Sequence, residues 1–493
     1  MVLSSSVYFV FLVGIFLLYW PLSRWRAGGL AVLLFANYFF YAKWDLFYLI
    51  LIPGASFVDY LIGLGLGVGL QRRPAEPPAT VHPSLSAWFQ LIAARAWFRR
   101  LLITCSLVLN LGILASFKYM PFFLSAWSGA TAHKAPEWHW TFPLGISFYC
   151  FQALTYTIDL YRKDGQPVRS LLAHMTAVSF FPTTLAGPIT RVLVLAPQLE
   201  KPGKTLTLEQ SGRALFRIAL GLLKKFMIAD YLAENLVNRV FDTPGLYTGM
   251  ETFIGVWAFA FQIYYDFSGY TDIAIGSAML LGIRLPENFN RPYTSLNISD
   301  FWRRWHITLS NWLRDYLYFS LPGLRSKWKI FTYVNLTVTM ILGGLWHGPN
   351  WTFVAWGALH GVALAAHHGF RTARGNPQPS ANLWIRLLSR VLTANYVAFC
   401  WIFFRATSLE NAGAILGRLA SLTVSFANVS PPLVTVLGVA ALGHFWPRAW
   451  YDFSMRQFIR APFYAQAAAV ALLVLAIEYV AMTGAAPFIY TKF

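Results

Sequence analysis

The sequence predicts an all-α polytopic membrane protein, with about ten to thirteen transmembrane and re-entrant helices. Three observations lead there. Of 493 residues, 57% are hydrophobic and only 12% are charged, whereas soluble domains carry roughly 25% charged residues. Aromatic residues reach 17%, including 20 Trp and 41 Phe; a soluble fold of this length cannot hide so much apolar surface, but lipid solvates it. Apolar runs then recur along the chain, many near the roughly 20 residues a spanning helix needs.

In order, the candidate spans fall near 6–22, 28–42, 46–69, 101–118, 142–161, 170–195, 213–240, 251–282, 331–346, 350–369, 388–405, 431–447 and 463–485. No basic residue precedes the first run in MVLSSS, and no small-residue cleavage site follows it. Arg24 and Arg26 come after it instead, so it reads as an uncleaved helix with its N-terminus outside. The early gaps follow the excess of Lys and Arg expected on the cytoplasmic side. Gap 23–29 holds Arg24 and Arg26, and gap 43–45 balances one Lys with one Asp. Gap 70–100 carries Arg72, Arg73, Arg95, Arg99 and Arg100 against Glu76. Gap 119–141 has only Lys134 and Glu137, and gap 162–169 is basic again. Residues 72–84 (RRPAEPPATVHPS) read as a flexible cytoplasmic loop.

A net charge of +19 would suit nucleic acid. Here the basic residues sit in short gaps between apolar runs, which points to anionic membrane lipid and excludes nucleic acid as a partner. Cys105, Cys150 and Cys400 lie in separate apolar runs without CxxC or Cys/His spacing. They read as packed core residues, with no disulfide framework and no metal site.

Residues 284–329 break the pattern. They hold eight basic and three acidic residues, interleaved with Trp302, Trp305, Trp312, Tyr293, Tyr316 and Tyr318. Charged backbone at membrane depth is tolerated only inside protein or beside a watery cavity. The segment is therefore expected to face the cytoplasm, to be partly re-entrant and to line a pocket.

Histidines supply the candidate chemistry. His82, His133 and His139 fall in gaps, His174 and His444 in apolar surroundings, and His367 and His368 at a helix end beside Arg371. His360 lies on a plain apolar helix and reads as core. His347 stands in ILGGLWHGPNW, where Pro349 breaks the helix and the glycines permit close backbone approach. A neutral imidazole at such a break suits general-base work, and a hydrogen-bonded structural role suits it too. His306 lies in DFWRRWHITLSNWLRDYLY, and at helical spacing it would share a face with Trp302, Arg303 and Ser310. The arginines there suit phosphates of an activated donor, or an interfacial Trp/Arg belt. Asp266 and Asp272 in YYDFSGYTDIA are six apart, so they point to different faces and are expected to pair with Arg or Tyr.

Several stretches together resemble the membrane-bound O-acyltransferase family, in particular its bacterial branch that acetylates exported polysaccharides such as alginate. They are FPLGISFYCFQALTYTIDLYR (142–162), FFPTTLAGPITR (180–191), FQIYYDFSGYTDIAIGSAMLLGIRLPENFNRPY (261–293), ISDFWRRWHITLSNWLRDYLY (298–318), LGGLWHG (342–348) and WIFFRA (401–406). The resemblance implies helices around a central tunnel. It implies one membrane-embedded domain over 1–493, with N-terminal helices at 1–141, a catalytic core at 142–406 and C-terminal helices at 407–493. It carries the histidine of the WHG motif onto His347 and the Asn-or-His position of the first signature onto His306. His347 would be the base, and His306 would orient the carbonyl or steady the oxyanion. Arg303, Arg304, Trp305 and Arg314 would hold the donor.

The function so implied is acyl transfer across the bacterial inner membrane. The donor would be acetyl-CoA or another cytoplasmic thioester, with no bound cofactor, and the end point O-acetylation of an exported polysaccharide. A periplasmic acetyltransferase would be the partner that completes it. The alternatives are a D-alanyl or other acyl relay to a cell-envelope polymer, a transporter of an intact acyl carrier, and a catalytically silent scaffold. A transporter would suit a Pro/Gly-broken helix but would have no need of His347.

Overall fold

The computed structural model describes residues 3–42, 48–68, 95–131, 133–134, 136, 145–202, 205–323, 328–375, 378 and 380–481. Helices dominate, and no strand occurs among these residues. Among the described residues, four helices are long and apolar enough to cross a membrane: Leu49–Gly67, Ala96–Thr131, Ile330–His347 and Leu383–Arg405. Ser6–Leu22, Pro431–Phe445 and Phe463–Glu478 are shorter apolar helices. The chain is thus an all-α, multi-pass membrane protein, as its composition predicts. Gap 43–45, the 72–84 loop, His82, His139, residues 142–144, Arg325 and Lys327 lie outside the described residues.

Two compact units make up the chain. The first comprises Met1–Leu206 with Ser277–Leu285, the second Thr207–Gly276 with Pro286–Phe493.

Polar pairs inside the apolar bundle pin the first unit. Asp59, on helix Tyr48–Val68, accepts hydrogen bonds from Ser106 Oγ (2.7 Å) and Asn110 Nδ2 (2.8 Å). Ser106 Oγ also lies 2.9 Å from Thr157 Oγ1 on helix Ile146–Arg162. Buried Arg99 donates to the carbonyls of Leu66 (2.6 Å), Leu160 (3.1 Å) and Tyr161 (2.9 Å). One guanidinium thus satisfies carbonyls at the ends of two helices, where the dipole favours a cation.

Two expectations for this unit need correction. Residues 170–195 do not form one span, because Pro182 and the Gly187-Pro188 pair break them into Leu171–Val178, Phe181–Thr184 and Val192–Glu200. The gap expected at 119–141 begins as helix: a π turn at Ala115–Tyr119 leads straight into Met120–Thr131.

The second unit opens with a capping box, in which Thr207 and Gln210 satisfy each other's backbone N–H at the start of helix Leu208–Leu222. The helix runs on through π segments Leu223–Asp230 and Ala233–Val237. Lys225 Nζ lies 2.7 Å from Asp230 and 2.9 Å from Asp266. Asp272 meets Lys224 (2.6 Å) and Arg217 (3.0 Å), and Arg217 also binds Glu287 (2.7 Å). The two aspartates of helix Gly249–Leu280 do face separate partners. Asp272 finds an arginine as expected, whereas the cation beside Asp266 is a lysine. Removing one member of such a buried pair leaves an uncompensated charge, so these contacts fix how the two helices sit.

Helices Ile330–His347 and Trp351–Ala373 form a tight hairpin. A Cβ on Gly344 would stand 2.2 Å from the Phe353 carbonyl oxygen, and one on Gly357 would stand 2.4 Å from that of Met340. Only glycine lets the backbones approach so closely. Near the C-terminus, a helix missed by hydropathy, Arg448–Arg460, packs Tyr451 and Phe458 on Phe216. Its mixed Arg and aromatic composition hides it from a search for apolar runs.

Gly344→Ala is expected to lower stability in detergent by about 1–3 kcal/mol, the cost of overpacking. Gly413→Ala, where a Cβ meets nothing within 4 Å, should not lower it. Thermal unfolding followed by Trp fluorescence compares the two, and a Gly344→Ala melting point at or above that of Gly413→Ala would contradict the close packing of the hairpin.

Candidate active site

The site lies within the second unit and starts from a break in regular structure. Helix Ile298–Trp302 is capped by Asn297, whose side chain accepts the Asp300 N–H, and it ends after little more than one turn. A new helix begins at Ile307. The continuous helix expected over 300–318 is therefore corrected, and His306 does not share a helical face with Trp302 and Arg303. The reason is local. The Ile307 N–H is taken by the Asn288 carbonyl (2.9 Å) and the Thr308 N–H by Asn288 Oδ1 (3.2 Å). With those donors used, the preceding helix cannot propagate through them. His306 adopts left-handed backbone (φ 41°, ψ 56°), a conformation that costs a non-glycine residue about 1–2 kcal/mol and that the Asn288 contacts hold in place.

Asn288 belongs to a non-helical arm that the rest of the unit fastens. The Asn290 N–H donates to the Arg304 carbonyl (2.9 Å). Arg291 donates to the carbonyls of His444 (3.1 Å) and Phe445 (2.7 Å), closing the end of helix Pro431–Phe445. His444 Nε2 accepts the Tyr293 N–H (3.2 Å), so a histidine expected to lack a clear partner is a clamp for this arm. The Tyr293 hydroxyl donates to the Ala260 carbonyl (2.6 Å) and accepts from Trp401 Nε1 (3.1 Å).

His347 is the last residue of its helix. Extended Gly348 follows, and Asn350 starts the next helix by accepting the Thr352 N–H (3.0 Å) while donating to the Thr407 carbonyl (3.1 Å). Aromatic rings enclose the imidazole: Trp346, Trp356 and Phe404 have centroids at 5.0, 5.3 and 5.0 Å. His306 is fully buried, with Phe267 at 4.6 Å and Trp346 at 6.3 Å. The two imidazoles expected to do chemistry therefore both contact one indole, that of Trp346. A third, His360, stands 4.8 Å beyond Trp356 and accepts a hydrogen bond from Trp302 Nε1 (3.3 Å), a core placement.

The proposed donor-binding residues divide. Arg303 and Arg314 have side chains 67% and 56% exposed. Arg304 is held by Asp300 (3.0 Å), and Arg314 contacts Asp315 (2.7 Å). Trp305 is buried, stacked on Phe301 (5.7 Å) and against Trp401 (4.9 Å), so its ring supports the core behind His306. Among the described residues, no group of three His, Cys, Asp or Glu side chains is placed to hold a metal ion. Buried imidazoles among apolar rings can move a proton where water has little access. Sequence reasoning missed Asn288, Tyr293 and His444. The one signal for Asn288 was an asparagine in a Pro-flanked, non-helical stretch, PENFNRP.

The sequence model of the membrane-bound O-acyltransferase family matches residues 92–409. The chain is 38% identical to a probable alginate O-acetylase, AlgI, of Pseudomonas syringae pv. tomato, over 85% of this chain and 75% of that one. It is 34% identical to a peptidoglycan O-acetyltransferase of Helicobacter pylori, over 81% and 75%. Likeness to a teichoic acid D-alanyltransferase of Bacillus subtilis is 30%, over 53% of this chain and 68% of that one.

Asn350→Ala removes a helix cap and the tie to Thr407. It is expected to cost about 0.5–2 kcal/mol, read as a lower melting temperature in detergent; an unchanged melting temperature would show that the cap does not secure the turn after His347.

Proposed function

The chain belongs to the membrane-bound O-acyltransferase family and is a multi-pass membrane acyltransferase; from that premise we propose that it takes acetyl groups from a cytoplasmic thioester, acetyl-CoA, and passes them across the bacterial inner membrane for O-acetylation of an exported polysaccharide. The observation that carries the proposal is the pair of buried imidazoles, His347 and His306, each packed edge-on against the Trp346 ring. Nothing in helix packing alone calls for a left-handed histidine next to a Pro/Gly-broken one.

The transfer has two needs. A hydroxyl must lose its proton as its oxygen attacks the thioester carbonyl, and the carbonyl oxygen must be steadied as charge develops. The two histidines supply one function each. As the tetrahedral species collapses, the carbon–sulfur bond breaks and the departing sulfur takes up the proton. Apolar rings around both histidines keep water from hydrolysing the thioester. Arg303 and Arg314, whose side chains reach solvent, would meet the phosphates of the donor. The N-terminus would lie outside, and a periplasmic transferase would deliver the acetyl group to the polymer.

The names of the relatives support a polymer as final acceptor: alginate in one case and peptidoglycan in another. A D-alanyl relay is supported less, since that likeness spans only 53% of the chain.

His347→Ala and His306→Ala are each expected to lower CoA release from radiolabelled acetyl-CoA by about 10²-fold or more, with an unchanged elution profile in detergent. Near-normal turnover in His347→Ala would sink the proposal. Arg303→Ala should raise KM for acetyl-CoA with little change in kcat; an unchanged KM would remove Arg303 from the donor site.

A further inference from the structure

Helix Arg448–Arg460 (RAWYDFSMRQFIR) is too short and too charged to cross a membrane. Its 13 residues include three arginines and one aspartate; a helix of that length is about 20 Å long, against roughly 30 Å of hydrocarbon. Trp446 and Pro447 separate it from helix Pro431–Phe445 with non-helical backbone (ψ 143° and 138°), so the chain turns as it leaves that helix.

The two faces of Arg448–Arg460 have opposite surroundings. Tyr451, Met455, Phe458 and Ile459 recur at helical spacing and are partly covered. Tyr451 and Phe458 pack on Phe216, with ring centroids at 5.7 and 5.6 Å, and a Cβ on Gly212 would stand 3.3 Å from Ile459 Cγ1. Helix Leu208–Leu222 thus covers one face and leaves the other open. On the open face Trp450 and Phe453 are 54% and 47% exposed. Together with exposed Trp446 they form a ridge, Trp446 to Trp450 at 5.7 Å and Trp450 to Phe453 at 6.1 Å. Arg448, Arg456 and Arg460 are exposed beside it, and no carboxylate among the described residues pairs with them.

Water is a poor solvent for such a ridge, and hydrocarbon is a poor one for the arginines. The headgroup layer suits both: indole rings settle at that depth, and guanidinium groups meet phosphates there. We propose that helix Arg448–Arg460 lies flat in the membrane surface and docks on anionic phospholipid headgroups. Trp450 and Phe453 dip into the acyl boundary, and Arg448, Arg456 and Arg460 bind phosphate. An acidic protein would match the arginines but would leave three large rings in water whenever it was away.

The docking bears on the site. Arg291 closes the carbonyls of His444 and Phe445 just before this helix, and His444 Nε2 takes the Tyr293 N–H. Headgroups that hold the helix down therefore also hold the clamp on the arm that carries Asn288. A ligand that binds only the folded state raises its melting temperature.

Two measurements on the full-length protein in nanodiscs test the docking. The first reads depth. Gln457 is exposed and shares the open face with Trp450 and Phe453. A spin label on Gln457→Cys, in a Cys105→Ser background that removes the exposed native thiol, should be reached more by oxygen dissolved in lipid than by a water-soluble nickel reagent. The second reads charge. Exchanging part of the phosphatidylcholine for phosphatidylglycerol should raise the melting temperature of wild type. Arg448→Gln, Arg456→Gln and Arg460→Gln combined should lose most of that rise, at about fivefold in affinity per arginine. The three Arg→Lys changes at the same positions keep the charge and should keep the rise. A label reached mainly by the nickel reagent would overturn the inference and give this face to a soluble acidic partner. No rise in wild type, or an equal rise in the Gln variant, would overturn it as well. The depth measurement leaves all three arginines in place, so it decides the docking even where the Gln variant does not fold.

Discussion

A helix can be interrupted within a membrane protein only if the backbone groups it frees find partners inside the protein, and every feature of this site depends on that constraint. At 303–306 the partner is Asn288, which supplies its main-chain carbonyl to Ile307 and its side-chain oxygen to Thr308. After His347 it is Asn350, whose amide caps one helix and ties the turn to Thr407. Each break leaves a histidine at the edge of regular structure. Neither imidazole is displayed along a helix face among many neighbours; each is held at an end, where its backbone is fixed from outside the helix.

Rigidity around these breaks comes from groups that do no chemistry. Tyr293 joins three elements through one hydroxyl and one N–H, and Arg291 closes the end of helix Pro431–Phe445. The C-terminal helices are thereby part of what positions the site. Charge serves the same end: the Lys225 and Asp272 networks lock helix Leu208–Leu222 and its π continuation to helix Gly249–Leu280, whose Phe267 forms one wall of the His306 site. Such pairs are weak as sources of net stability and strong as specifiers of arrangement.

Much of this was legible in the sequence, for reasons that can be named. Apolar runs report spans because lipid demands them, and the WHGPNW break was visible because Pro349 cannot continue a helix. The break at His306 was not visible. DFWRRWHITLSNWL contains no Gly or Pro, and the cause lies 18 residues upstream in Asn288, a tertiary contact that local pattern does not encode. The 170–195 span failed for the opposite reason: hydropathy alone was followed through Pro182 and Pro188. His444 could not be assigned because its partner is a backbone N–H 151 residues away. Histidines at functional breaks were found by chemistry and motif, while the asparagines and tyrosine that hold them emerged only with the fold.

The central claim is that an acyl group is handed on by chemistry at the buried histidines, not carried through on an intact donor. The most direct test uses proteoliposomes with acetyl-CoA outside, its acetyl group and its CoA moiety carrying different radiolabels, and a hydroxyl acceptor inside. The account predicts that acetyl label appears on the internal acceptor while CoA label stays outside, and that His347→Ala stops the first without leaking the second. Arrival of both labels together, in wild type and in His347→Ala alike, would contradict it and identify the chain as a conduit.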